Sequence, residues 1–196
     1  MTILGLGPMT NLAQALHRDS TWGGMVGRLI LSGGAITAPG DVTPAAEFNI
    51  FSDPLAARTV IRSKTTKTLI PLDLSRQVRF SFDLLDHLPA ESTRAGKFLR
   101  KILPFAFRSQ RQVLGIEEIQ LNAILPVVAA LHPELFETHA HAVDVETEGT
   151  IANGMTIADR RNVRDWRVDM DVATNADFTS IRDCVIRSLR HAGNES

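Results

Sequence analysis

Apolar residues near the start of the chain come first in an unbroken run and then at helical spacing. Residues 3–6 lack polar alternation, which is typical of a strand buried on both faces. Gly7-Pro8 then turns the chain, and a helical period follows at Met9, Leu12 and Leu16. This part of the chain therefore predicts a strand followed by a helix.

A second apolar run, a long loop, a helix and a third apolar run follow. Residues 29–31 predict another buried strand, and residues 35–49 have two prolines and no sustained period, which predicts a long loop at its carboxyl end. Asp53-Pro54 indicates a helix start, because aspartate caps the first N–H groups and proline suits the first helical position. Residues 68–72 predict a third strand. Strand, helix and strand in this order imply a right-handed parallel crossover.

The middle of the chain predicts helices with one apolar face. Residues 80–112 are expected to be helical and basic. The expected buried face comprises Ala95, Phe98, Leu99, Ile102 and Leu103, and the expected exposed face comprises Arg94, Lys97, Arg100 and Lys101. Such a basic face can bind phosphate or a partner, although plain exposure to solvent is the commoner explanation. A further helix is predicted within residues 121–131, where Pro126 is tolerated if it lies in the first turn.

Toward the C-terminus the period changes from helical to alternating. Residues 143–148 and residues 166–171 alternate between uncharged and charged side chains, which predicts two half-exposed, antiparallel strands with Asn153-Gly154 as a turn between them. A last helix is predicted with Phe178, Ile181, Val185 and Leu189 on one face and with Arg190 and His191 in its last turn. All these elements together predict an α/β fold of the Rossmann-like layered type. Its sheet should be mostly parallel, with helices on both faces and a few antiparallel strands toward the C-terminus.

Size and charge narrow the class of protein. The chain has 196 residues, of which 44% are hydrophobic, and we expect a single domain over residues 1–196. A net charge of −1 gives no reason to expect nucleic acid or a membrane as partner. The single cysteine, Cys184, excludes an internal disulfide and is expected to be a packed thiol. No basic residue precedes Arg18, so no secretory signal is predicted and a cytoplasmic location is expected.

The long loop holds the most interesting polar groups. Asp41, Glu47 and Asn49 lie beyond the carboxyl end of a predicted strand, where open α/β sheets bind ligands. Carboxylates and an amide suit the hydroxyl groups of a sugar. The alternative is that Asp41 and Asn49 merely stabilise turns through local hydrogen bonds, and composition alone favours that explanation.

Several segments match the motifs of a known family, in the family's order. They are LGPMTNL at 6–12, the pair Gly33-Gly34, DVTPAAEFNI at 41–50, DPLAA at 53–57, LDLSRQV at 72–78, HPELF at 132–136, VDVE at 143–146 and GMTIADRR at 154–161. Over nearly its whole length the chain resembles the inosine/uridine-preferring nucleoside hydrolase family. The family pattern N-x-T-P-x-A-E-F-N-I, matched at 41–50, is specific.

The resemblance implies a reaction and a set of site residues. The family cleaves the N-glycosidic bond of ribonucleosides with a bound Ca²⁺, which holds the ribose hydroxyls and an attacking water whose proton goes to an aspartate. By resemblance, Asp41, Glu47, Phe48 and Asn49 fall at substrate-binding positions, although Asp41 stands where the family usually has asparagine. The backbone carbonyl of Leu6 falls at a calcium-ligand position.

Two departures from the family pattern bear on activity. The family's D-x-D-P-G-x-D-D cluster, which supplies most calcium carboxylates and the catalytic base, has no match, so we interpret the chain as a family fold truncated on its N-terminal side. The family's catalytic histidine and calcium-binding aspartate are replaced by Asn122 and Ala123. Asparagine is no acid near neutral pH, and alanine offers no side-chain oxygen. We therefore expect the chain alone to be inactive and not to bind calcium.

Three functions stay open. The first is a nucleoside N-ribohydrolase whose front portion is supplied by another chain or a longer parent. The second is a non-catalytic ribose-binding or scaffold protein, which Asp41, Asn122 and Ala123 favour because truncation alone would not alter them. The third is a decayed gene product that self-associates through an exposed sheet edge. The expected partner is a ribonucleoside, and a homo-oligomer stays open.

Overall fold

The computed structural model describes residues 1–19, 21–161 and 170–192. The chain forms two compact units. The first comprises Met1–Ser75 with Asn122–Ala176, and the second comprises Arg76–Leu121 with Asp177–Ser196. Within the described ranges, no helix is long and apolar enough to cross a membrane.

Eight strands and eight α-helices make up the described structure. The strands are β1 (Thr2–Gly5), β2 (Arg28–Ser32), β3 (Lys67–Ile70), β4 (Arg79–Phe80), β5 (Ile119–Gln120), β6 (Phe136–Val145), β7 (Thr156–Asp159) and β8 (Met170–Ala176). The helices are α1 (Thr10–Arg18), α2 (Trp22–Met25), α3 (Phe48–Ser52), α4 (Pro54–Arg62), α5 (Leu72–Ser75), α6 (Arg94–Leu114), α7 (Ile124–Leu131) and α8 (Phe178–His191). Short 3₁₀ helices span Phe82–His87 and Pro133–Leu135.

A mixed, mostly parallel sheet forms the centre of the first unit. Its order is β1-β2-β3-β8-β6-β7. The first four strands of that order run parallel, whereas β6 is antiparallel to both β8 and β7. The predicted Rossmann-like α/β class is thus confirmed, including the antiparallel strands toward the C-terminus. Of the strand predicted at 166–171, positions 166–169 lie outside the described residues, and Met170 begins β8.

The first strand, expected to be buried on both faces, is buried only in part. Strand β1 lies at the edge of the sheet and pairs with β2, from Thr2 opposite Arg28 to Gly5 opposite Leu31. Thr2 is exposed and its two successors are half-buried, because an edge strand is open along its outer side. Strand β7 is not predicted by the sequence pattern, since the segment TIAD at 156–159 has no clear alternation.

Helices cover both faces of the sheet, as predicted. Leu29 and Leu31 of β2 belong to the core cluster that includes Ala13 of α1 and Val60 of α4. Ile30, between them, points to the opposite face and is fully buried as well. Helix α7 packs against β1 and β2. The sheet is therefore sandwiched, and the loops at the carboxyl ends of its parallel strands are left to form a site.

Asp144, a charged residue of the alternating segment 143–148, is paired with two arginines. Its carboxylate accepts hydrogen bonds from Arg58 Nε at 3.0 Å and from the guanidinium of Arg62, both on α4. Burial raises the pKa of Asp144, but the hydrogen bonds from Arg62 and Arg58 outweigh it and leave that pKa below its ordinary value. The ion pairs therefore fasten α4 to the antiparallel side of the sheet.

The second unit contains α6, α8, the first 3₁₀ helix and the antiparallel pair β4-β5. The rings of Phe82 and Phe107 stack with centroids 4.6 Å apart. Cys184 of α8 is 7% exposed, as expected for a packed thiol. Residues 80–112 were predicted to be one helical stretch, but α6 begins only at Arg94.

Local chemistry explains the late start of α6. Pro89 disfavours helical backbone at Leu88, whose ψ of 147° is extended. Thr93 then caps the helix, its hydroxyl accepting a hydrogen bond from the N–H of Gly96 at 3.0 Å. Both signals are present in the sequence.

The predicted buried face of α6 is wrong at two of its five positions. Phe98 is 62% exposed and Ile102 is 39% exposed, while the buried residues are Gly96, Leu103 and Phe107. A Cβ atom on Gly96 would lie 2.0 Å from the carbonyl oxygen of Ala90. The backbones therefore approach closely at Gly96, which lies on the side of the helix that turns inward.

We predict that Gly96→Ala destabilises the protein by about 1–3 kcal/mol, because the added methyl group has no room against Ala90. Urea unfolding measures this loss. The matched control is Gly24→Ala, where a Cβ meets no atom within 4 Å; it should leave stability unchanged or raise it. Equal stability of the two variants would contradict the close approach.

Candidate functional site

Loops that follow β1 and β2, together with the residues before α7, surround one pocket of the first unit. Its volume is about 440 Å³, within the range of small-molecule sites. It is lined by Leu6, Ser32, Asp41, Val42, Glu47, Phe48, Asn49, Asn122 and Ala123. The structure thus brings together all seven residues singled out from the sequence, although they span more than a hundred positions of the chain.

Glu47 is the most deeply buried charged residue of this pocket, with 5% exposure. Its Oε2 accepts hydrogen bonds from the N–H groups of Gly34 at 2.9 Å, Asn49 at 3.0 Å and Ile50 at 3.2 Å. The side chain therefore caps α3 and ties the end of β2 to it. Burial raises the pKa of Glu47 above its ordinary value, with a smaller contribution from Asp41, against the lowering effect of the three backbone donors.

Two glycines make this arrangement sterically feasible. Gly33 and Gly34 have φ angles of +144° and +77°, which side chains with a Cβ rarely adopt. A Cβ on Gly33 would also lie 2.9 Å from Oε2 of Glu47. The glycine pair is therefore needed for the carboxylate to reach the turn after β2.

Asp41 and Asn49 both stabilise local structure and line the pocket. Asp41 Oδ1 accepts a hydrogen bond from the N–H of Phe48 at 2.8 Å, and Asn49 Nδ2 donates to the carbonyl of Ser32 at 3.0 Å. Asp41 thus holds a backbone group seven residues ahead of it, whereas the Asn49 side chain bonds a residue 17 positions earlier and makes no local turn bond. Phe48 differs from both, since its side chain is 56% exposed at the rim.

Asn122 and Ala123 complete the wall of the pocket just before α7 begins at Ile124. Asn122 Oδ1 is buried and has no hydrogen-bond partner among the described residues. A buried acceptor without a donor costs about 1–3 kcal/mol, which a ligand hydroxyl or N–H could recover. Pro126 lies in the first turn of α7, as the sequence required.

Asp73, to which the sequence pattern gives no role, positions the long loop without lining the pocket. Its carboxylate accepts hydrogen bonds from the N–H groups of Ile36 at 2.9 Å, Thr37 at 2.7 Å and Ala38 at 2.9 Å, and from the Thr37 hydroxyl. Burial raises the pKa of Asp73, but these donors outweigh it and leave that pKa below its ordinary value. Its place directly after β3, where carboxyl-end loops carry ligands, was the available signal.

The described pocket residues do not by themselves make a calcium site. Ca²⁺ takes about six to eight oxygen ligands, and no cluster of three or more His, Cys, Asp or Glu side chains suited to a metal occurs among the described residues. In Asp41 and in Glu47, one carboxylate oxygen already accepts hydrogen bonds from backbone N–H groups. Ala123 contributes no side-chain oxygen.

Comparison with known proteins decides the family. Residues 1–183 match the model of the inosine-uridine preferring nucleoside hydrolase family. The chain belongs to this family. It is 34% identical over 192 residues to the non-specific ribonucleoside hydrolase RihC of Salmonella paratyphi B, and 35% identical over 160 residues to uridine nucleosidase 1 of Arabidopsis thaliana.

Solved structures agree with this nucleoside hydrolase assignment. The fold superposes on a plant nucleoside hydrolase, PpNRh1, with a TM-score of 0.87 and 30% identity, and on a purine-preferring ribonucleoside hydrolase from Gardnerella vaginalis with a TM-score of 0.91 and 28% identity. Both matches cover 100% of this chain and 62% of the other. The alignment with RihC includes 98% of this chain and 61% of RihC, and the alignment with the Arabidopsis protein includes 82% of this chain and 47% of that protein. It therefore spans about half to three fifths of these relatives.

We predict that Glu47→Gln changes the pH dependence of stability. A carboxyl whose pKa is raised on folding stabilises the protein fully below its unfolded pKa, near 4.5, and loses that contribution as the pH rises through the folded pKa. The glutamine variant has no such loss, so its stability relative to the parent should improve as the pH rises above about 4.5.

Urea unfolding of both proteins across this pH range measures the effect. In an Asp41→Asn background the improvement should shrink, because one cause of the raised Glu47 pKa is gone. A constant difference between parent and Glu47→Gln at every pH would contradict the raised pKa.

We also predict that Asp73→Asn loosens the loop by removing one charged acceptor from three N–H groups. Hydrogen exchange of the amides at 36–38 should accelerate by roughly one to two orders of magnitude, the kinetic equivalent of about 1–3 kcal/mol. Asp19→Asn, which changes an exposed carboxylate bonded to Thr21, is the control. Unchanged exchange at 36–38 would show that Asp73 does not hold the loop.

Proposed function

We propose that this chain is a nucleoside hydrolase-like protein whose pocket binds the ribose of a ribonucleoside and that, alone, it does not cleave the N-glycosidic bond. The observation that supports this most is the convergence of Asp41, Glu47, Phe48 and Asn49 on one pocket in a family member. The relatives' names, non-specific ribonucleoside hydrolase and uridine nucleosidase, point to the same class of ligand.

The polar groups of the pocket suit a ribose rather than a charged ligand. Carboxylate oxygens of Asp41 and Glu47 accept hydrogen bonds from hydroxyl groups, and the unpartnered Oδ1 of Asn122 can accept another. Glu47 and Asn49 are fixed by backbone hydrogen bonds, so little side-chain entropy is lost when a sugar binds. Phe48 offers an apolar surface at the rim.

The pocket residues just before α7 lack the groups that bond cleavage needs. When bound, the family's Ca²⁺ activates the attacking water and orients the ribose hydroxyls. Here Ala123 offers no oxygen to such an ion, and Asn122 cannot donate a proton to a departing base near neutral pH. We infer that residues 1–196 bind and orient a sugar, and that hydrolysis requires groups outside them.

Two accounts of the whole protein follow from this. In the first, a longer parent or a second chain supplies the acidic groups and the assembled protein is a ribonucleoside N-glycosidase. In the second, the protein is a non-catalytic ribose-binding or scaffold member of the family. The changes at Asp41, Asn122 and Ala123 favour the second account, because they affect residues that are present. Under both accounts we expect one family domain in the cytoplasm, and we leave self-association open.

We predict that calorimetry detects weak binding of uridine and inosine, equal in calcium and in EDTA, and that chromatography detects no released base. Phe48→Ala and the 2′-deoxy ligands should each weaken binding roughly five- to tenfold, the equivalent of about 1 kcal/mol for a lost contact. Leu55→Ala, an exposed apolar residue on α4, is the control variant. Binding that ignores both Phe48→Ala and the 2′-hydroxyl would contradict the ribose pocket.

A fusion carrying the family's D-x-D-P-G-x-D-D segment distinguishes the two accounts. If the fusion hydrolyses uridine as it stands, the first account holds. If only the fusion that also carries Asn122→His and Ala123→Asp is active, the second holds. Calcium-dependent hydrolysis by the unfused chain would overturn the proposal that it is inactive alone.

A further inference from the structure

Helix α6 carries an unusual concentration of positive charge. Its 21 residues, Arg94–Leu114, include six of the chain's 21 lysines and arginines and no aspartate or glutamate. The chain as a whole has a net charge of −1, so the overall balance conceals a strongly basic local surface. Two of the six cations serve the protein itself. Arg100 donates to the carbonyls of Pro89 and Leu88, and Arg111 pairs with Glu117 at 3.7 Å.

The other four cations stand on the exposed part of the helix. They are Arg94, Lys97, Lys101 and Arg108. Within the described part of the chain, none of these four forms an ion pair with a carboxylate. Their charge is therefore available to a partner of opposite sign.

Large apolar side chains share this exposed face. Phe98 is 62% exposed, Phe105 is 66% exposed and Ile102 between them is 39% exposed. Phe98 and Phe105 are seven residues apart, which places them about two helical turns, or about 10 Å, apart on one side of the helix. That side is opposite the buried stripe of Gly96, Leu103 and Phe107. Two exposed phenylalanines cost solvation free energy unless something covers them.

Helical geometry sets the cations beside the phenylalanines. At about 100° per residue, Phe105, Phe98 and Ile102 form an apolar stripe, and Arg94, Lys101 and Arg108 form a basic stripe along its edge. We name these six residues the α6 face. A basic helix with aromatic side chains beside its cations is typical of helices that lie in the plane of a membrane surface.

We propose that the α6 face binds the surface of an anionic lipid bilayer, with Phe98 and Phe105 in the headgroup region and the flanking cations on the lipid phosphates and carboxylates. The protein would attach reversibly and from one side. Binding of this kind depends jointly on apolar burial and on charge, and each cation near an anionic surface contributes about 1 kcal/mol.

Shape and charge favour a bilayer over other occupants. Peptides dock in grooves, whereas the outer side of a single helix is convex and fits a deformable headgroup layer. A second copy of α6 is disfavoured, because it would bring like charges together across an apolar contact. Single-stranded nucleic acid also binds cations and aromatic rings, but within positively charged grooves that track its backbone.

Co-sedimentation of the full chain with vesicles tests the proposal. We expect binding to phosphatidylcholine vesicles that contain about 30% phosphatidylserine, none to pure phosphatidylcholine, and a decline as salt rises. Lys101→Gln with Arg108→Gln should weaken binding at least tenfold, since each cation contributes about fivefold. Phe98→Ser with Phe105→Ser should weaken it to a similar extent.

Matched controls separate the α6 face from general charge and hydrophobicity. Arg18→Gln with Lys64→Gln removes the same charge elsewhere, and Leu55→Ser with Met25→Ser removes apolar side chains that are 68% and 62% exposed. Neither pair should change vesicle binding. Since all four α6 substitutions are at exposed positions, unfolding curves should stay at the parent's midpoint.

Three outcomes would overturn the proposal. One is no binding to the anionic vesicles, and another is binding that the α6 variants leave unchanged. The third is that the parent self-associates, or binds a fluorescent oligonucleotide, more strongly than it binds vesicles, and that the Phe98/Phe105 variant loses this interaction. Sedimentation velocity measures self-association, and the oligonucleotide assay measures nucleic-acid binding.

Discussion

The buried carboxylate of Glu47 is the constraint on which the site depends. One oxygen holds three N–H groups, from the turn after β2 and from the first turn of α3, with an exposed fraction of only 5%. A charge at that depth is tolerable only with such compensation, and its pKa is raised despite it. Because Gly33 would clash with the carboxylate if it had a Cβ, the glycine pair and the glutamate form one unit.

A second carboxylate, that of Asp73, orders a different part of the long loop. Asp73, directly after β3, fixes residues 36–38, while Glu47 fixes the two ends of the segment around it. Neighbouring parallel strands thus each contribute to one rigid rim above their carboxyl ends. This rim holds Asp41, Glu47 and Asn49, the residues that we propose bind a sugar. The groups that would drive bond cleavage belong to a different part of the pocket, where Asn122 and Ala123 stand.

Predictions from the sequence were confirmed for features that depend on interactions between residues close together in the chain. Asp53 caps α4 with Pro54 in its first turn, and the three parallel strands predicted near the start all form, within a residue or two of their expected bounds. The prediction of the buried face of α6 was wrong in part, because apolar spacing identifies apolar stripes on a helix but does not show which stripe turns inward. The side that turns inward carries Gly96, where the backbone of Ala90 lies close, and the opposite side leaves Phe98 in solvent. A net charge near zero likewise said nothing about how charge is distributed.

The sequence by itself determined the family, the α/β class and the residues of the pocket, because motif letters and hydrophobic periods are properties of the chain alone. Only the tertiary structure decided that β1 is an edge strand, that Asp144 is paired rather than exposed and that Asp73 holds the loop. Each of these depends on contacts between residues far apart in the chain. Such contacts arise from packing, and no local pattern encodes them.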